Sequence, residues 1–205
     1  MAPQGRRIPI SMPSDAMPIL PAEPDCYPPD LWENGASAAG EDEAIWWCLH
    51  TRPRQEKATA RDLRKAGVAY YLPQARKESR TPQGRRIESV VPLFTSYMFM
   101  KGSHADRLTA LRANRLVAIL EVADQDALAR DLRQIHTMIS SGLVVTEEPT
   151  VPVGATVRIA SGPLTGVIGK VIRRANGDHL VAVVHFLGRG ATVLLQDWQV
   201  ERVAE

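Results

Sequence analysis

The sequence predicts an α+β protein in two folded parts, helices packed on a sheet followed by a small five-stranded β-barrel. Three observations predict it. Residues 157–171 place two alternating apolar runs around a turn carrying Gly162, Pro163, Gly166 and Gly169. Alternation at period two marks half-buried strands, and the Gly-Pro pair marks a tight reversal between them. Upstream, strand-like and helix-like segments alternate, which is the pattern of helices layered on a sheet. After residue 153 the strand candidates are short and closely spaced, and strands that bend over a small core need glycine at the bends.

Order is expected to begin at Ile45, where residues 45–50 form an apolar strand with bulky side chains on both faces. A helix follows over about residues 54–66, rich in good helix formers and stopped by Gly67. Residues 68–72 read as a second strand ended by Pro73. Residues 76–91 form two strand-like arms around Thr81-Pro82-Gln83-Gly84, a protruding basic hairpin. Residues 93–100 are the most apolar strand of this region. Ser103 caps a short helix through Arg112, and residues 116–122 are another strand. Asp124 then caps a helix whose apolar residues Leu128, Leu132, Ile135 and Ile139 share one face, and Gly142 ends it.

Residues 143–152, with Glu147, Glu148 and two prolines, read as a linker. Beyond it lie strand candidates at 156–160, 167–173, 180–185, 192–195 and 200–203, with Asn176-Gly177 as the best hairpin turn. Five strands in so short a span make an SH3-like barrel. The expected organisation is therefore a tail over 1–43, a sheet-and-helix domain over 44–142, a linker over 143–152 and a barrel over 153–205. The tail is expected to be disordered, because eight prolines fall in its first 29 positions and no periodicity survives. Met12 and Met17 are alternative start sites within it.

The 205-residue chain is 44% apolar, enough for real cores. Its formal net charge of +2 conceals an uneven distribution. Residues 1–45 carry 2 basic and 8 acidic side chains, residues 46–146 carry 17 and 9, and residues 147–205 carry 6 of each. The basic excess lies between Trp46 and Arg86. A localised excess suits a polyanionic partner, but the same charges also make an ordinary solvated face, and charge alone does not choose. Cys26 and Cys48 sit in dissimilar settings, so free thiols are expected rather than a disulfide. No signal-peptide core opens the chain, and no apolar run approaches the roughly 18 residues of a membrane span. A soluble, cytoplasmic, monomeric protein without membrane contact is expected.

Three stretches together resemble one family. They are Trp46-Trp47-Cys48-Leu49-His50-Thr51-Arg52-Pro53-Arg54-Gln55-Glu56-Lys57, Pro92-Leu93-Phe94-Thr95-Ser96-Tyr97-Met98-Phe99, and residues 157–171, which resemble a KOW motif. A fourth is Phe186-Leu187-Gly188-Arg189 followed by Asp197-Trp198-Gln199-Val200-Glu201. From Trp46 to Val203 the chain resembles the NusG family of bacterial transcription elongation factors, with an N-terminal NGN domain and a C-terminal KOW domain. Pro92-Leu93-Phe94 and the basic hairpin look more like the RfaH-like specialised paralogs. One departure is plain, since the family usually has Phe-Pro-X-Tyr where this chain has Phe94-Thr95-Ser96-Tyr97.

The resemblance implies docking of the NGN domain on the clamp helices of RNA polymerase through exposed aromatics at Phe94, Tyr97 and Phe99. By alternation Tyr97 and Phe99 share one face and Met98 and Met100 the other, so one set is expected to be core. The resemblance also places Arg52, Arg54, Lys57, Arg61 and Arg115 over the non-template DNA strand. The plainer alternative is a solvated helix with Glu56 and Asp62 as local partners. The hairpin cations Arg76, Lys77, Arg80, Arg85 and Arg86 are open to upstream DNA, polymerase or solvent alike. In the KOW domain, Phe186, Leu187 and Arg189 match the place that binds a small-subunit ribosomal protein or Rho, although Phe186 is also open to a core role. Which of Phe186 and Leu187 projects is left open by an extra residue before Gly188.

No enzyme is expected. Gly162 to Lys170 has the wrong glycine spacing for a P-loop, and Val171 stands where a Ser or Thr would hold magnesium. His50, His104, His136, His179 and His185 show no metal-ligand spacing, and no cofactor is expected. The function expected is a transcription elongation or antitermination factor that suppresses pausing or termination. The alternative is a ribosome- or RNA-binding KOW protein without a polymerase role, which the neutral charge of residues 147–205 disfavours.

Overall fold

The computed structural model describes residues 23–33, 44–149, 154–174, 177–195 and 200–202. Strands β1 (Cys26–Tyr27), β2 (Ile45–Thr51), β3 (Ala69–Tyr71), β6 (Tyr97–Gly102) and β7 (Leu116–Glu121) form an antiparallel sheet in the order β1-β3-β6-β2-β7. The hairpin of β4 (Gln74–Arg80) and β5 (Arg86–Pro92) stands apart as a two-stranded ribbon. Strand β2 is apolar on both faces because both faces are covered. Trp47 and Leu49 pack with Ala60 and Leu63 of helix α1 (Glu56–Lys65) and Ala110 of α2 (His104–Arg112). Trp46 and Cys48 pack on the opposite face with Leu128, Leu132 and Ile135 of α3 (Gln125–Ser140).

Local chemistry sets the helix starts. Ser103 and Asp106 form a reciprocal capping box on α2, and Asp124 accepts the Ala127 N–H at 2.8 Å on α3. Such caps stabilise a helix by about 1 kcal/mol. The sequence placed these helices well. It also placed the hairpin, but the strand expected at residues 93–100 begins only at Tyr97. Residues 94–97 close a turn in which Phe94 O accepts the Tyr97 N–H at 3.1 Å.

The tail expected to be disordered contains an ordered strap. Cys26 and Tyr27 pair with Tyr71 and Tyr70 as an edge strand. Leu31 is buried, and Trp32 stacks on Trp46 at 5.9 Å and meets Tyr71 edge-on at 4.9 Å. Glu23, also buried, lies 3.5 Å from Arg61, 3.2 Å from Arg64 and 3.4 Å from the Tyr70 hydroxyl. Proline content argues against central strands and helices, but it does not exclude an edge strand anchored by aromatic burial. Residues 1–22 and 34–43, with Met12 and Met17, lie outside the described residues.

The C-terminal barrel consists of six antiparallel strands where five were expected. The order is β13-β9-β10-β11-β12-β8, with β8 (Thr146–Glu148), β9 (Ala155–Ile159), β10 (Ile168–Arg174), β11 (Gly177–Val184), β12 (Arg189–Leu194) and β13 (Val200–Arg202). The extra strand, β8, comes from the expected linker and pairs with β12. In the opening turn of the KOW-like segment, Gly166 takes φ +86° and Leu164 is fully buried. At Gly169 a Cβ would lie 2.5 Å from Val181 O, so strands β10 and β11 approach as closely as they do only because that position is glycine. Asn176 and residues 197–199 lie outside the described residues.

The barrel packs against the first part of the chain. Strand β11 is buried along both faces, and α3 lies against it. One contiguous apolar cluster joins Cys48, Phe99, Leu132 and Met138 to Leu180, Ala182 and Val184. Asp131 and Gln134 add polar latches: His185 N–H and Nδ1 lie 2.9 and 3.0 Å from the Asp131 carboxylate, and Ile168 N–H donates to Gln134 Oε1 at 2.6 Å.

Candidate functional site

Three loops meet at one end of the first sheet. The Arg52 N–H donates to Arg115 O at 2.8 Å, and the Arg52 guanidinium donates to Asn114 Oδ1 at 2.9 Å. The Thr51 N–H donates to Ser96 O at 2.9 Å, while the Ser96 N–H donates to the buried Glu56 carboxylate at 2.8 Å. These ties hold Arg54, Ser96 and Asn114 at φ values of +63°, +66° and +52°. They are the described non-glycine residues with positive φ, and all three lie in this end. Each such conformation costs on the order of 1–3 kcal/mol and persists only where surrounding structure enforces it, which is common at functional sites.

The same network explains how Thr95 replaces the family proline. A proline would pre-set the turn from Phe94 to Tyr97. Here Glu56 and Thr51 grip both sides of the Ser96 peptide and close it without one.

The expected DNA-facing cations separate into two groups. Arg54 is exposed and makes no ion pair among the described residues, and Arg52 is exposed with its guanidinium held by Asn114. Lys57 donates to Val90 O at 2.6 Å and so braces the hairpin base. Arg61 faces Glu23 of the strap, and Arg115 is fixed between Asp62 at 2.7 Å and Gln55 Oε1 at 2.7 Å. Arg61 and Arg115 therefore tie the fold together rather than stand free on a DNA face. The local partner Asp62 was legible in the sequence, whereas Glu23 was not, because it lies 38 residues away in the tail.

The aromatic set also divides. Phe94 and Phe99 are fully buried, which corrects their expectation as exposed docking residues. Met98 and Met100 are buried on the opposite face, so Phe99 and the two methionines are core on opposite sides of the strand. The physical reason is α3 and the barrel, which cover the face that alternation alone left unassigned. Tyr97 remains partly exposed. Its ring stacks on His50 at 4.8 Å, and the Arg189 guanidinium lies 5.3 Å from its centroid.

In the barrel, a 3-10 turn at His185–Leu187 ends at Gly188, which takes φ +63°. Phe186 projects with 37% exposure, and Leu187 turns inward against the apolar cluster. Phe186 is thus not a core aromatic. Arg189 meets Glu147 of β8 at 3.0 Å as well as Tyr97.

Sequence reasoning missed His50, Asn114 and the Asp131 latch. Asp131 left a signal, since it lies on the apolar face of α3 beside Leu128, Leu132 and Ile135, where a carboxylate needs a partner. Both thiols are free, and burial pushes Cys26 up to about 11 and Cys48 up to about 12, which leaves them protonated and unreactive. Among the described residues no His, Cys, Asp and Glu cluster could hold a metal, and no helix is long and apolar enough to cross a membrane.

No curated protein sequence matches the chain. A structure of NusG from Thermotoga maritima, described for its domain interaction, is similar over 79% of this chain and 98% of that one, at 18% identity and a TM-score of 0.46. The family model for NusG, the transcription termination factor nusG, matches residues 44–150. The chain therefore belongs to the NusG family of transcription factors, which work with RNA polymerase in elongation and termination.

Proposed function

We propose that this protein is an elongation or antitermination factor of the RfaH-like, specialised kind. In this reading it engages the polymerase clamp at Tyr97 and the non-template DNA strand at Arg52, Arg54 and Lys57, and so suppresses pausing or termination. The observation that carries the reading is the continuity of the two surfaces. Tyr97 follows directly on the Ser96 peptide that Thr51 and Glu56 hold, and Arg52 and Arg54 flank the same junction. An aromatic anchor beside exposed guanidinium groups, one of them held by Asn114, suits a protein helix next to a nucleic-acid strand. Tyr97 packs against the apolar cluster that contains Phe94 and Phe99.

Arg189 of the barrel lies over Tyr97, so polymerase docking and domain closure compete for one ring. The KOW domain, once released, recruits a small-subunit ribosomal protein or Rho through Phe186, Leu187 and Arg189. Binding to purified bacterial RNA polymerase tests the docking part. Tyr97→Ala is expected to weaken binding about 30-fold, as loss of an aromatic hot spot does. Retention of full affinity by the variant removes Tyr97 from the interface.

A further inference from the structure

Strand β8 belongs by sequence to the connection between the two parts, yet it is paired into the barrel. Glu148 lies opposite Gly190, Glu147 opposite Ala191 and Thr146 opposite Thr192. Two contacts tie this three-residue strand to the rest of the molecule in a way that closure can control. The Glu147 carboxylate meets the Arg189 guanidinium at 3.0 Å, and Val145, just before the strand, is buried in the apolar cluster that spans both parts of the molecule. Without β8, strand β12 would be a sheet edge, and an open edge is a template for an extended peptide.

We infer that β8 is a resident pseudo-ligand: it occupies the β12 edge while the molecule is closed, and its departure opens that edge to an extended acidic segment of a partner protein. This rests on the reading that the barrel recruits a partner beside Phe186, Leu187 and Arg189, and it adds how that surface is regulated and what it recognises. The resident strand specifies the ligand's chemistry. A carboxylate opposite Ala191 reaches diagonally to Arg189, a polar β-branched residue lies opposite Thr192, and backbone pairing supplies the rest. Phe186, exposed at the turn before β12, offers an apolar contact beyond the paired residues.

Closure and occupancy are linked through one side chain. Arg189 is shared between Tyr97 and Glu147, and Val145 is shared between the barrel and the first part of the chain. Separation of the two parts removes Tyr97 from Arg189 and exposes Val145, which weakens the hold on this short strand. While it stays tethered, β8 competes at an effective concentration on the order of millimolar, enough to exclude a free peptide of similar intrinsic affinity.

The probe is a synthetic peptide with the sequence of residues 143–149, titrated into the full chain and followed by amide shifts of Gly190, Ala191 and Thr192. The triple variant Thr146→Gly, Glu147→Ser, Glu148→Gly is expected to bind it at least tenfold more tightly than the native chain. Adding Arg189→Glu should undo that gain, and a peptide with Lys in place of Glu147 should restore it. A second variant carries Glu147→Cys with Ala191→Cys, directly opposed residues that a disulfide can bridge. Oxidised, it should not bind the peptide; reduced, it should bind at least as tightly as the native chain does, because the Glu147–Arg189 ion pair is gone. Equal binding by the native chain and the triple variant, or by the oxidised and reduced pair, overturns the inference. Because polymerase is absent from this assay, failure here leaves docking at Tyr97 standing, and failure of polymerase binding leaves this inference standing.

Discussion

The Arg189 guanidinium of the barrel lies 5.3 Å from the ring centroid of Tyr97 at the end of the first sheet, and His50 stacks on the same ring at 4.8 Å. This contact joins two surfaces that the family resemblance had assigned to different partners. Arg189 and Tyr97 therefore cover part of one another. Asp131, with His185 against its buried carboxylate, is a polar tie between the two parts. Hydrogen bonds to a charged group contribute about 1.5–3 kcal/mol, so Asp131→Asn is expected to shift the closed–open balance by roughly one to two powers of ten. Rotational correlation times measured separately for the two parts check this. Unchanged, common tumbling in the variant would show that Asp131 does not hold the parts together.

The strap is an integral part of the fold. Leu31→Ala is expected to cost about 2–4 kcal/mol in urea denaturation, the range for a buried leucine. A loss below about 0.5 kcal/mol would mean that residues 23–33 rest on the sheet without stabilising it.

Stability should also fall in mild acid through His136. Its ring stacks on Trp32 at 5.3 Å, and burial holds its pKa below the ordinary 6.5, with Asp25 acting in the opposite sense. The unfolded chain therefore binds the proton more readily than the folded one. The contribution is complete above about 6.5 and is lost as pH falls through that value toward the depressed folded one. Denaturation midpoints should be level from about pH 8 to 7 and decline below about 6.5, and His136→Phe should flatten that decline. An unaltered profile in the variant would assign the pH dependence to other groups.

The cations at the junction should separate stability from DNA contact. Arg115→Ala is expected to cost about 0.5–1 kcal/mol, because it removes the partly exposed contacts to Asp62 and Gln55. Arg54→Gly should instead stabilise the fold by up to about 1 kcal/mol, since glycine accepts φ +63° without strain. The same change should reduce crosslinking to the non-template strand in paused complexes. Crosslinking at the native level after Arg54→Gly would remove Arg54 from the DNA face.

Much of the fold could be read from local signals. Ser103 and Asp124 mark their helices, the Thr81–Gly84 turn marks the hairpin, and Gly166 and Gly169 mark the tight strands. What escaped depends on contacts distant in sequence. The strap needs Trp46 and Tyr71 to become ordered, and β8 needs an open edge on β12. Phe94 and Phe99 look like surface anchors until α3 and the barrel are placed over them. For the candidate site, the motif pointed to this strand and junction, but the division of the cations into free and paired groups depended on Glu23, Asn114 and Gln55.

In the proposed function Tyr97 is the polymerase contact and the closed barrel withholds it. The affinity of purified RNA polymerase for the native chain, for Asp131→Ala and for Asp131→Ala with Tyr97→Ala tests it most directly. Binding at least tenfold tighter is expected when the latch is broken, with loss of that gain when Tyr97 is also removed. Equal affinity of the native chain and Asp131→Ala, or undiminished binding by the double variant, would contradict it.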